Sequence, residues 1–536
     1  MDDGPLTIAG LADWAADAWG GEEALVHGGG DEALAYGRGP ETPAYGRGSW
    51  TFEALRDAVD EAARALMAHG LAPGDRVGVW AVNSGRWVVA ALGALAAGGV
   101  LVPVNTRYRG GEAADILRRA RCRFLFTEHD FLGTDYRRML DDSGRPLPDL
   151  ERVVALHDDE DWTAFTGRAA RVTAEARRAR TDSVRPEDDA DILFTSGTTG
   201  RPKGVVTTHG QTVRLYAAWA REVTLTRGDR YLLVNPFFHT FGYKAGIVAC
   251  LLVGAAMLPE PVFDADRALR RVADDRVSVL TGAPTLFMTL LRHPDRASYD
   301  LSSLRMTGTG ASNIPTRLIE EIREKLGVDL VYTAYGLTES DGTVTICPPT
   351  EPAHTLARTA GRALPGTEVR IDASSGEILT RGYHVMRGYL DDPAATAEAV
   401  DADGWLHTGD VGVLDERGFL TVTDRLKDMF VVGGFNAYPA EIEQALRAHP
   451  GIADVSVVGA PDARLGEVGV AFYVPSPDRE APADHAQLVS WARERLANFK
   501  VPRRFEPVPE LPHNAAGKVD KTALRARAAA GEAMAG

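Results

Sequence analysis

Short apolar strands alternate with helical segments up to about residue 330, and this alternation constrains the fold more than any other feature of the sequence. In residues 76–127 a strand, an apolar helix, a second strand, a second helix and a third strand follow one another. The same order returns in residues 192–252 and again in residues 277–326. Repeated βαβ units form parallel sheets with helices on both faces. The sequence therefore predicts an α/β fold.

The pattern changes in the last third of the chain. From about residue 358, short strands and turns replace the βαβ order, and the last hundred residues or so return to mixed helices and strands. A chain of 536 residues is long enough for several folding units. We therefore expect a β-rich subdomain and then a small α+β domain after the large α/β domain.

Composition excludes several classes of protein. The 59 Lys and Arg residues against 75 Asp and Glu residues give a net charge of −16, which disfavours nucleic-acid binding. The three cysteines lie far apart, so the sequence predicts neither disulfides nor a zinc site and suits a reducing cytoplasm. No signal peptide is recognisable at the amino end.

Three further segments need a structural interpretation. Residues 87–104 carry no charge, but Gly98, Gly99 and Pro103 interrupt them, which favours a buried helix followed by a strand over a membrane span. Residues 28–48 are rich in glycine and are interpreted as a surface insertion. Residues 141–189 are dense in charge of both signs and are interpreted as a solvated connector with one helix.

Residues 195–204, TSGTTGRPKG, are the strongest chemical signal in the chain. They directly follow an apolar strand, and their glycines free backbone N–H groups to surround an anion. Hydroxyl donors and the charge of Lys203 complete a composition that is typical of a phosphate-binding loop. The segment is not a Walker A loop, because Pro202 stands where that motif needs glycine.

With this loop the chain resembles the adenylate-forming superfamily of acyl-CoA synthetases, carrier-domain adenylation domains and luciferases. Six further segments match that family's motifs in the family's order: NPFFHTFG at 235–242, GTGAS at 308–312, YGLTES at 335–340, TGD at 408–410, DRLKD at 424–428 and GGFNAYPAEIE at 433–443. A seventh, HNAAGKV at 513–519, matches the terminal lysine motif. The stretch from Asn235 onward looks especially like actinobacterial synthetases for propanoate side chains of steroid-ring fragments.

The resemblance implies that a carboxylate reacts with ATP to give an acyl-adenylate and pyrophosphate, and that a thiol then attacks the acyl-adenylate. The site must spread positive charge around the α-phosphate, since two anions approach each other. The resemblance implies catalytic roles for Lys518, Lys203, His239, Thr338 and Glu339, with Glu339 as the Mg²⁺ ligand. It also implies that the nucleotide and CoA are bound by Thr195, Ser196, Gly197, Thr198, Thr199, Gly200, Gly310, Ala311, Ser312, Tyr335, Gly336, Asp410, Arg425, Lys427, Gly433 and Gly434.

The resemblance also implies how the domains are arranged. It divides the chain into a large amino-terminal adenylation domain, residues 1–426, and a small mobile carboxyl-terminal domain, residues 427–536. Lys518 and the loop at Gly433 and Gly434 lie on the small domain, and the family rotates that domain between the two half-reactions about a pivot that matches Lys427. The implied substrates are a small-molecule acid, ATP with Mg²⁺, and CoA. We expect a cytoplasmic enzyme without membrane insertion, and the pattern leaves open whether it forms a homodimer.

Alternative functions remain open at this point. The acceptor of the adenylate could be an amine, a carrier-protein thiol, or an aryl amine after activation of nitrite. A binding protein without catalysis is disfavoured because the motif lysines and acids are intact. A dehydrogenase is disfavoured because no G-x-G-x-x-G follows a strand.

Two further expectations concern an additional acid after the YGLTES motif and the pocket for the acyl group. Asp341 follows the YGLTES motif, and we expect it to add a second acid near the Mg²⁺. The acyl pocket is expected among residues 237–243, 283–288, 308–312 and 343–346, where bulky aromatic side chains favour a compact aryl or alicyclic acid over a long flexible chain.

Overall fold

The computed structural model describes residues 4–26, 48–195, 202–310, 314–425, 428–432, 435–462, 465–477, 484–496, 498–514 and 518–532. The chain divides into two compact units. The first comprises Met1–Val369 and Thr380–Leu406, and the second comprises Arg370–Leu379 and His407–Gly536. The chain thus passes into the second unit at His407, which comes before the pivot that the sequence suggests. The predicted boundary between residues 426 and 427 concerns movement rather than compactness, and it stays a prediction.

The first unit contains two large sheets. The large sheet has nine strands in the spatial order Arg362–Ala363, Thr345–Cys347, Leu330–Tyr335, Met306–Gly310, Val279–Thr281, Arg230–Leu233, Ala256–Pro259, Glu23–Val26 and Ser49–Thr51. Its central strands run parallel, whereas the strands at its ends pair antiparallel. The parallel interior is the arrangement that the βαβ order predicts.

The second sheet of this unit has seven strands. Their spatial order is Gly388–Tyr389, Lys203–Thr208, Asp189–Thr195, Val100–Pro103, Arg76–Trp80, Cys122–Thr127 and Arg152–Ala155. The strand Lys203–Thr208 returns antiparallel to Asp189–Thr195 and pairs on its other side with Gly388–Tyr389. This pairing brings Tyr389 beside Val205, which directly follows the phosphate-loop motif.

Helices flank these sheets. The longer helices of the first unit are Leu11–Trp19, Phe52–Ala68, Gly85–Ala96, Gly110–Arg119, Tyr136–Asp141, Asp159–Thr166, Ala174–Asp182, His209–Glu222, Ala265–Asp274, Pro284–Arg292, Thr316–Leu326, Ala353–Arg358 and Pro393–Ala399. A π-helix, Tyr243–Val248, continues into the helix Ala249–Val253.

The uncharged segment 87–104 forms a helix and a strand, as the punctuation predicts. Every residue of the helix Gly85–Ala96 is buried, and the helix is followed by the strand Val100–Pro103. A Cβ atom at Gly93 would lie 2.8 Å from the Cβ of Ala62, so glycine is needed for the close approach of the helix Phe52–Ala68. Among the described residues, no helix is long and apolar enough to cross a membrane.

The expectation of a simple solvated connector at residues 141–189 is wrong. The segment contributes the edge strand Arg152–Ala155 and two helices, Asp159–Thr166 and Ala174–Asp182. Trp162 and Phe165 are buried and pack against Phe126. The charged residues around these few apolar side chains hide them in the sequence pattern. Nearly all of the glycine-rich segment 28–48 lies outside the described residues.

The second unit has its own core. It holds most of a four-stranded sheet, in the order Thr367–Ile371, Glu377–Gly382, Leu406–Leu414 and Leu420–Arg425. A five-stranded sheet follows, built from Phe430–Val432, Phe435–Ala437, Ile452–Asp462, Gly466–Pro475 and Arg504–Pro507. The helices of this unit are Pro439–Arg447, His485–Arg493 and Lys521–Glu532. The β-rich region and the α+β end agree with the fold class that the sequence predicts.

Candidate active site

The phosphate-loop motif connects two strands of a hairpin. Thr195 and Lys203 are register partners, so the two ends of the motif meet at one end of the second sheet. Arg119 donates a hydrogen bond to the carbonyl of Pro202 at 2.5 Å. Ser196, Gly197, Thr198, Thr199 and Gly200 lie outside the described residues. Their binding role stays a prediction, but the hairpin gives the loop between them two fixed ends.

Two further motif segments meet at the carboxyl edge of the large sheet. Gly310 is the register partner of Ala334, which immediately precedes Tyr335. Because these two strands are parallel, Gly310 of GTGAS and Tyr335 of YGLTES lie close together where their strands end. A Cβ atom at Gly336 would lie 2.3 Å from the carbonyl oxygen of Gly342, so only glycine fits there. Ligands of α/β sheets bind at such a carboxyl edge. The next two residues of the motif, Ala311 and Ser312, lie outside the described residues.

The NPFFHTFG segment is anchored by the side chain of Asn83. Asn83 donates to the carbonyls of Leu233 and Asn235 at 3.0 and 2.8 Å, and it accepts from the Phe237 amide at 2.8 Å. His239 is exposed, and its Nδ1 accepts a hydrogen bond from the Phe241 amide at 3.1 Å. The local turn therefore orients the imidazole and presents it at the surface of the first unit.

Glu339 and Lys203 approach the same tyrosine from two directions. Glu339 lies on a one-turn 3-10 helix, Thr338–Ser340, and its Oε1 accepts a hydrogen bond from the Tyr389 hydroxyl at 2.9 Å. The Nζ of Lys203 lies 4.7 Å from the centre of the Tyr389 ring. Burial, and then the Glu339 carboxylate, raise the pKa of Tyr389, so its hydroxyl stays protonated and donates. Sequence reasoning missed Tyr389.

Lys244, Asp191 and Asp341 form a buried ionic cluster in the first unit. The Nζ of Lys244 is 2.9 Å from Asp191 Oδ1 and 2.5 Å from Asp341 Oδ1, and all three side chains are fully buried. Thr207 and Thr212 are close to the same ammonium, at 2.8 and 3.5 Å. Burial lowers the pKa of Lys244, but the two carboxylates outweigh this effect and raise the pKa above its ordinary value. The lysine is therefore charged, and sequence reasoning missed it.

The expectation that Asp341 lies near the metal is wrong. Its Oδ1 pairs with Lys244, its Oδ2 accepts from Thr212 at 2.9 Å, and the residue has no exposed surface. Burial raises the pKa of Asp341 to about 6, although Lys244 opposes this shift. Both carboxylate oxygens of Asp341 are thus engaged by side chains in the protein interior. Asp341 is therefore a structural acid.

In the second unit, Asp410 is buried on the strand Leu406–Leu414, in a tightly hydrogen-bonded segment. The Thr408 hydroxyl donates to the Ile378 carbonyl at 2.7 Å and accepts from the Asp410 amide at 3.1 Å. Glu377 accepts from the Gly409 amide at 2.8 Å. Asp410 is the register partner of Arg425 on the adjacent strand, so the two residues predicted at the ribose are neighbours.

Lys518 lies at the end of a turn that closes on itself. Its amide donates to Asn514 Oδ1 at 3.1 Å, and its carbonyl accepts from the Asn514 amide at 2.8 Å. Lys518 is exposed, and the helix Lys521–Glu532 follows it directly. The turn therefore fixes the backbone of the lysine and leaves its side chain at the surface. The other predicted residues of this unit, Lys427, Gly433 and Gly434, lie outside the described residues.

The aromatic residues of the predicted acyl pocket fall into two groups. Tyr243 and Phe287 are fully buried, and Tyr243 packs against Trp87 with ring centres 6.0 Å apart. Phe238 and Phe241 are only partly buried and flank the exposed His239. The second group is therefore the better candidate for contact with an acid.

Comparison with known proteins places the chain in a family. Residues 26–390 match the AMP-binding enzyme model, and residues 441–518 match the model of the AMP-binding enzyme C-terminal domain. A ligase of Mycobacterium tuberculosis for 3-(7a-methyl-1,5-dioxo-octahydro-1H-inden-4-yl)propanoyl:CoA is 51% identical over 477 residues, which cover 89% of this chain and 93% of the relative. A ligase of the same name from Rhodococcus jostii is 49% identical over 486 residues, with the same coverage of 89% and 93%.

Solved structures agree with this assignment. An anthranilate CoA ligase in complex with anthranoyl-AMP superposes with a TM-score of 0.82 at 25% identity, covering 99% of each chain. ATP-bound MatB from Rhodopseudomonas palustris also has a TM-score of 0.82, at 28% identity, covering 97% of this chain and 98% of its own. The two family matches together span most of the chain, and the chain belongs to the AMP-binding enzyme family.

Proposed function

We propose that this protein is an ATP-dependent acid:CoA ligase. It activates a carboxylic acid as an acyl-adenylate with release of pyrophosphate, and it then transfers the acyl group to CoA with release of AMP. The observation that carries the proposal is that Lys203, predicted to bind phosphate, and Glu339, predicted to bind the metal, both contact the side chain of Tyr389. The CoA ligases among the relatives support CoA as the acceptor.

The first half-reaction needs positive charge around the phosphates. Lys203 and the amides of residues 196–200 hold the β- and γ-phosphates, and Thr338 donates to phosphate. Mg²⁺, when bound, neutralises phosphate charge, and Glu339 supplies its protein ligand. The described residues contain no group of three or more side chains that could hold a metal. Mg²⁺ fits such a site, since it keeps several waters and takes one or two carboxylates together with nucleotide phosphates.

The remaining predicted residues orient the two organic parts of the adenylate. Tyr335 packs on adenine, and Asp410 accepts hydrogen bonds from both ribose hydroxyls with Arg425 beside it. His239 stands next to the reacting carboxylate. A carboxylate suits the ribose because its two oxygen atoms can each accept a hydrogen bond. Gly310, Ala311, Ser312 and Gly336 form the backbone around the base.

The second unit supplies one group for each half-reaction. Lys518 contacts the acid carboxylate and the α-phosphate during adenylation. After rotation about Lys427, the loop at Gly433 and Gly434 replaces it and forms the channel for pantetheine. Lys518 and this loop cannot occupy the same position at the adenylate together, so alternation of the small domain, residues 427–536, follows from this assignment.

We further propose that the acid is an alicyclic propanoate. Both actinobacterial relatives carry the name of a ligase for a bicyclic dione that bears a propanoyl chain. The partly buried Phe238 and Phe241 beside His239 offer flat apolar surfaces that suit a fused ring system better than a long flexible chain. Action in the cytoplasm is supported by three free, buried cysteines. A homodimer stays a prediction.

Isotope exchange between pyrophosphate and ATP tests the adenylation step. Exchange should depend on the acid and on Mg²⁺, and addition of CoA should convert the adenylate to a thioester with release of AMP. Lys203→Met should reduce exchange by about 100-fold or more, since it removes a charge that stabilises the transition state. Lys325→Met is the matched control, because Lys325 is an exposed helix residue paired with Glu321. Exchange that does not require an acid, or equal rates in the two variants, would contradict the proposal.

A further inference from the structure

Tyr389 contacts two side chains of opposite charge. Its hydroxyl is 2.9 Å from Glu339 Oε1, and its ring is 4.7 Å from Lys203 Nζ. Lys203 and Glu339 form no ion pair with each other in the part of the chain that the structure describes. The tyrosine therefore contacts the anion through its edge and the cation through its face, which matches the charge distribution of a phenol ring.

The backbone around Tyr389 is bound to the same two elements. Met386 donates its amide hydrogen to the Glu339 carbonyl at 2.8 Å, and Leu390 donates to the Gly204 carbonyl at 2.7 Å. Tyr389 itself is the register partner of Val205. The segment 386–390 thus joins the strand that begins at Lys203 to the turn that carries Glu339.

A third contact holds the backbone of Tyr389. The Tyr389 amide donates to the Thr396 hydroxyl at 2.8 Å, and a Cβ atom at Gly388 would lie 2.9 Å from the Thr396 methyl group. The φ angle of Gly388 is 155°, which glycine adopts without strain. These contacts therefore fix the backbone that carries the Tyr389 ring.

We infer that Tyr389 is a positioning residue that orients the Glu339 carboxylate for Mg²⁺ and holds Lys203 apart from it, so that both charges remain available to the nucleotide; this inference rests on the proposed function. A lysine and a glutamate that are free to pair would neutralise each other. The phenol prevents this by occupying the space between them, and its hydroxyl leaves the second carboxylate oxygen for the metal. Groups that orient a metal ligand are commonly worth 10–100-fold in metal affinity or activity.

Two substitutions separate the two contacts. Tyr389→Phe keeps the ring under Lys203 and removes the hydrogen bond to Glu339. Tyr389→Leu removes both contacts and opens space for Lys203 and Glu339 to pair. Tyr383→Phe is the matched control, since Tyr383 also donates its hydroxyl, to the Pro365 carbonyl at 3.1 Å, and also lies under a cation, with Arg214 3.9 Å from its ring centre.

The readout is calorimetric binding of ATP at a series of Mg²⁺ concentrations, which needs neither acid nor CoA. We expect Tyr389→Phe to raise the Mg²⁺ concentration for half-maximal ATP binding by about tenfold or more, with ATP affinity restored at saturating Mg²⁺. Tyr389→Leu should also weaken ATP binding at saturating Mg²⁺. Tyr383→Phe should match the unmodified protein. A Mg²⁺ dependence of Tyr389→Phe within twofold of the control would overturn the inference.

A double substitution distinguishes positioning from a general loss of structure. If Tyr389 acts through Glu339, then Tyr389→Phe should have no further effect on Mg²⁺ dependence in a Glu339→Gln background. Additive effects would overturn the inference even if each single variant is impaired. Failure of the unmodified protein to bind ATP would overturn the proposed function as well, whereas normal ATP binding without acid-dependent pyrophosphate exchange would overturn the proposed function alone.

Discussion

Replacing Lys244 by methionine removes the cation at the centre of the buried cluster. Methionine has a similar length and shape, so the substitution changes charge more than packing. Asp191 and Asp341 would then face each other without a counter-ion, in a region where neither has exposed surface. The hydroxyl of Thr207, which is 2.8 Å from the ammonium, would lose that partner as well.

The magnitude follows from burial. Breaking a buried pair by removing one partner costs about 3–5 kcal/mol, because a charge is left uncompensated in the interior. Here one substitution breaks two pairs, so we expect the free energy of unfolding to fall by at least about 3–5 kcal/mol. A destabilisation of this size lowers the melting temperature of a large unit by roughly 6–10 °C, at about 2 °C per kcal/mol.

Differential scanning calorimetry of three variants tests this reasoning. Lys325→Met removes an exposed helix lysine and should shift the melting temperature by about 1 °C or less. The triple variant Lys244→Met, Asp191→Asn, Asp341→Asn removes all three charges and should recover at least half of the loss. A melting temperature of Lys244→Met that equals the surface control would show that the cluster does not stabilise the fold. A triple variant that is less stable than the single one would refute the electrostatic explanation.

Three further predictions concern the half-reactions and pH. Lys518→Ala should abolish adenylation and keep thioester formation from a preformed acyl-adenylate with CoA, and equal loss of both would contradict its assigned role. Lys427→Pro fixes φ near −65° and should impair one half-reaction far more than the other, which paired rate measurements of the two steps can check. Burial lowers the pKa of His209 to about 4. The folded state therefore protonates this histidine only at a lower pH than the unfolded chain, whose histidines titrate near 6.5. The contribution of neutral His209 to the free energy of unfolding should therefore be fully present above pH 6.5 and decrease as the pH falls toward 4. His209→Gln should reduce the slope of melting temperature against pH in this range.

The sequence predicts the elements of the first unit well where apolar periodicity is strong. The helix predicted from about residue 87 is observed as Gly85–Ala96, and the strand after it as Val100–Pro103. The charged connector at residues 141–189 is the failure, since its few buried side chains are spread among many exposed ones. Periodicity detects a stripe of apolar residues, but it does not detect one aromatic pair such as Trp162 and Phe165.

The candidate site shows a similar division. The motifs identify Lys203 and Glu339 because each lies in a local string of characteristic residues. Tyr389 and Lys244 act through partners that are distant in the chain: Glu339 is 50 positions from Tyr389, and Asp341 is 97 positions from Lys244. Such pairings depend on sheet order, which a single sequence does not reveal. A lone lysine within the apolar stretch YKAGIVACLL is nevertheless a signal, because a lysine in a core needs a buried acid.

The most direct test of the account is a comparison of kcat/KM for thioester formation with three acids at saturating ATP, Mg²⁺ and CoA. The acids are an alicyclic propanoate with a fused ring system, a cinnamate-like acid and palmitate, with each CoA thioester identified by its mass. The account predicts the highest kcat/KM for the alicyclic propanoate and the lowest for palmitate. A preference for palmitate would contradict the proposed acyl site, and ATP consumption with nitrite but with no carboxylic acid would contradict the acid:CoA ligase itself.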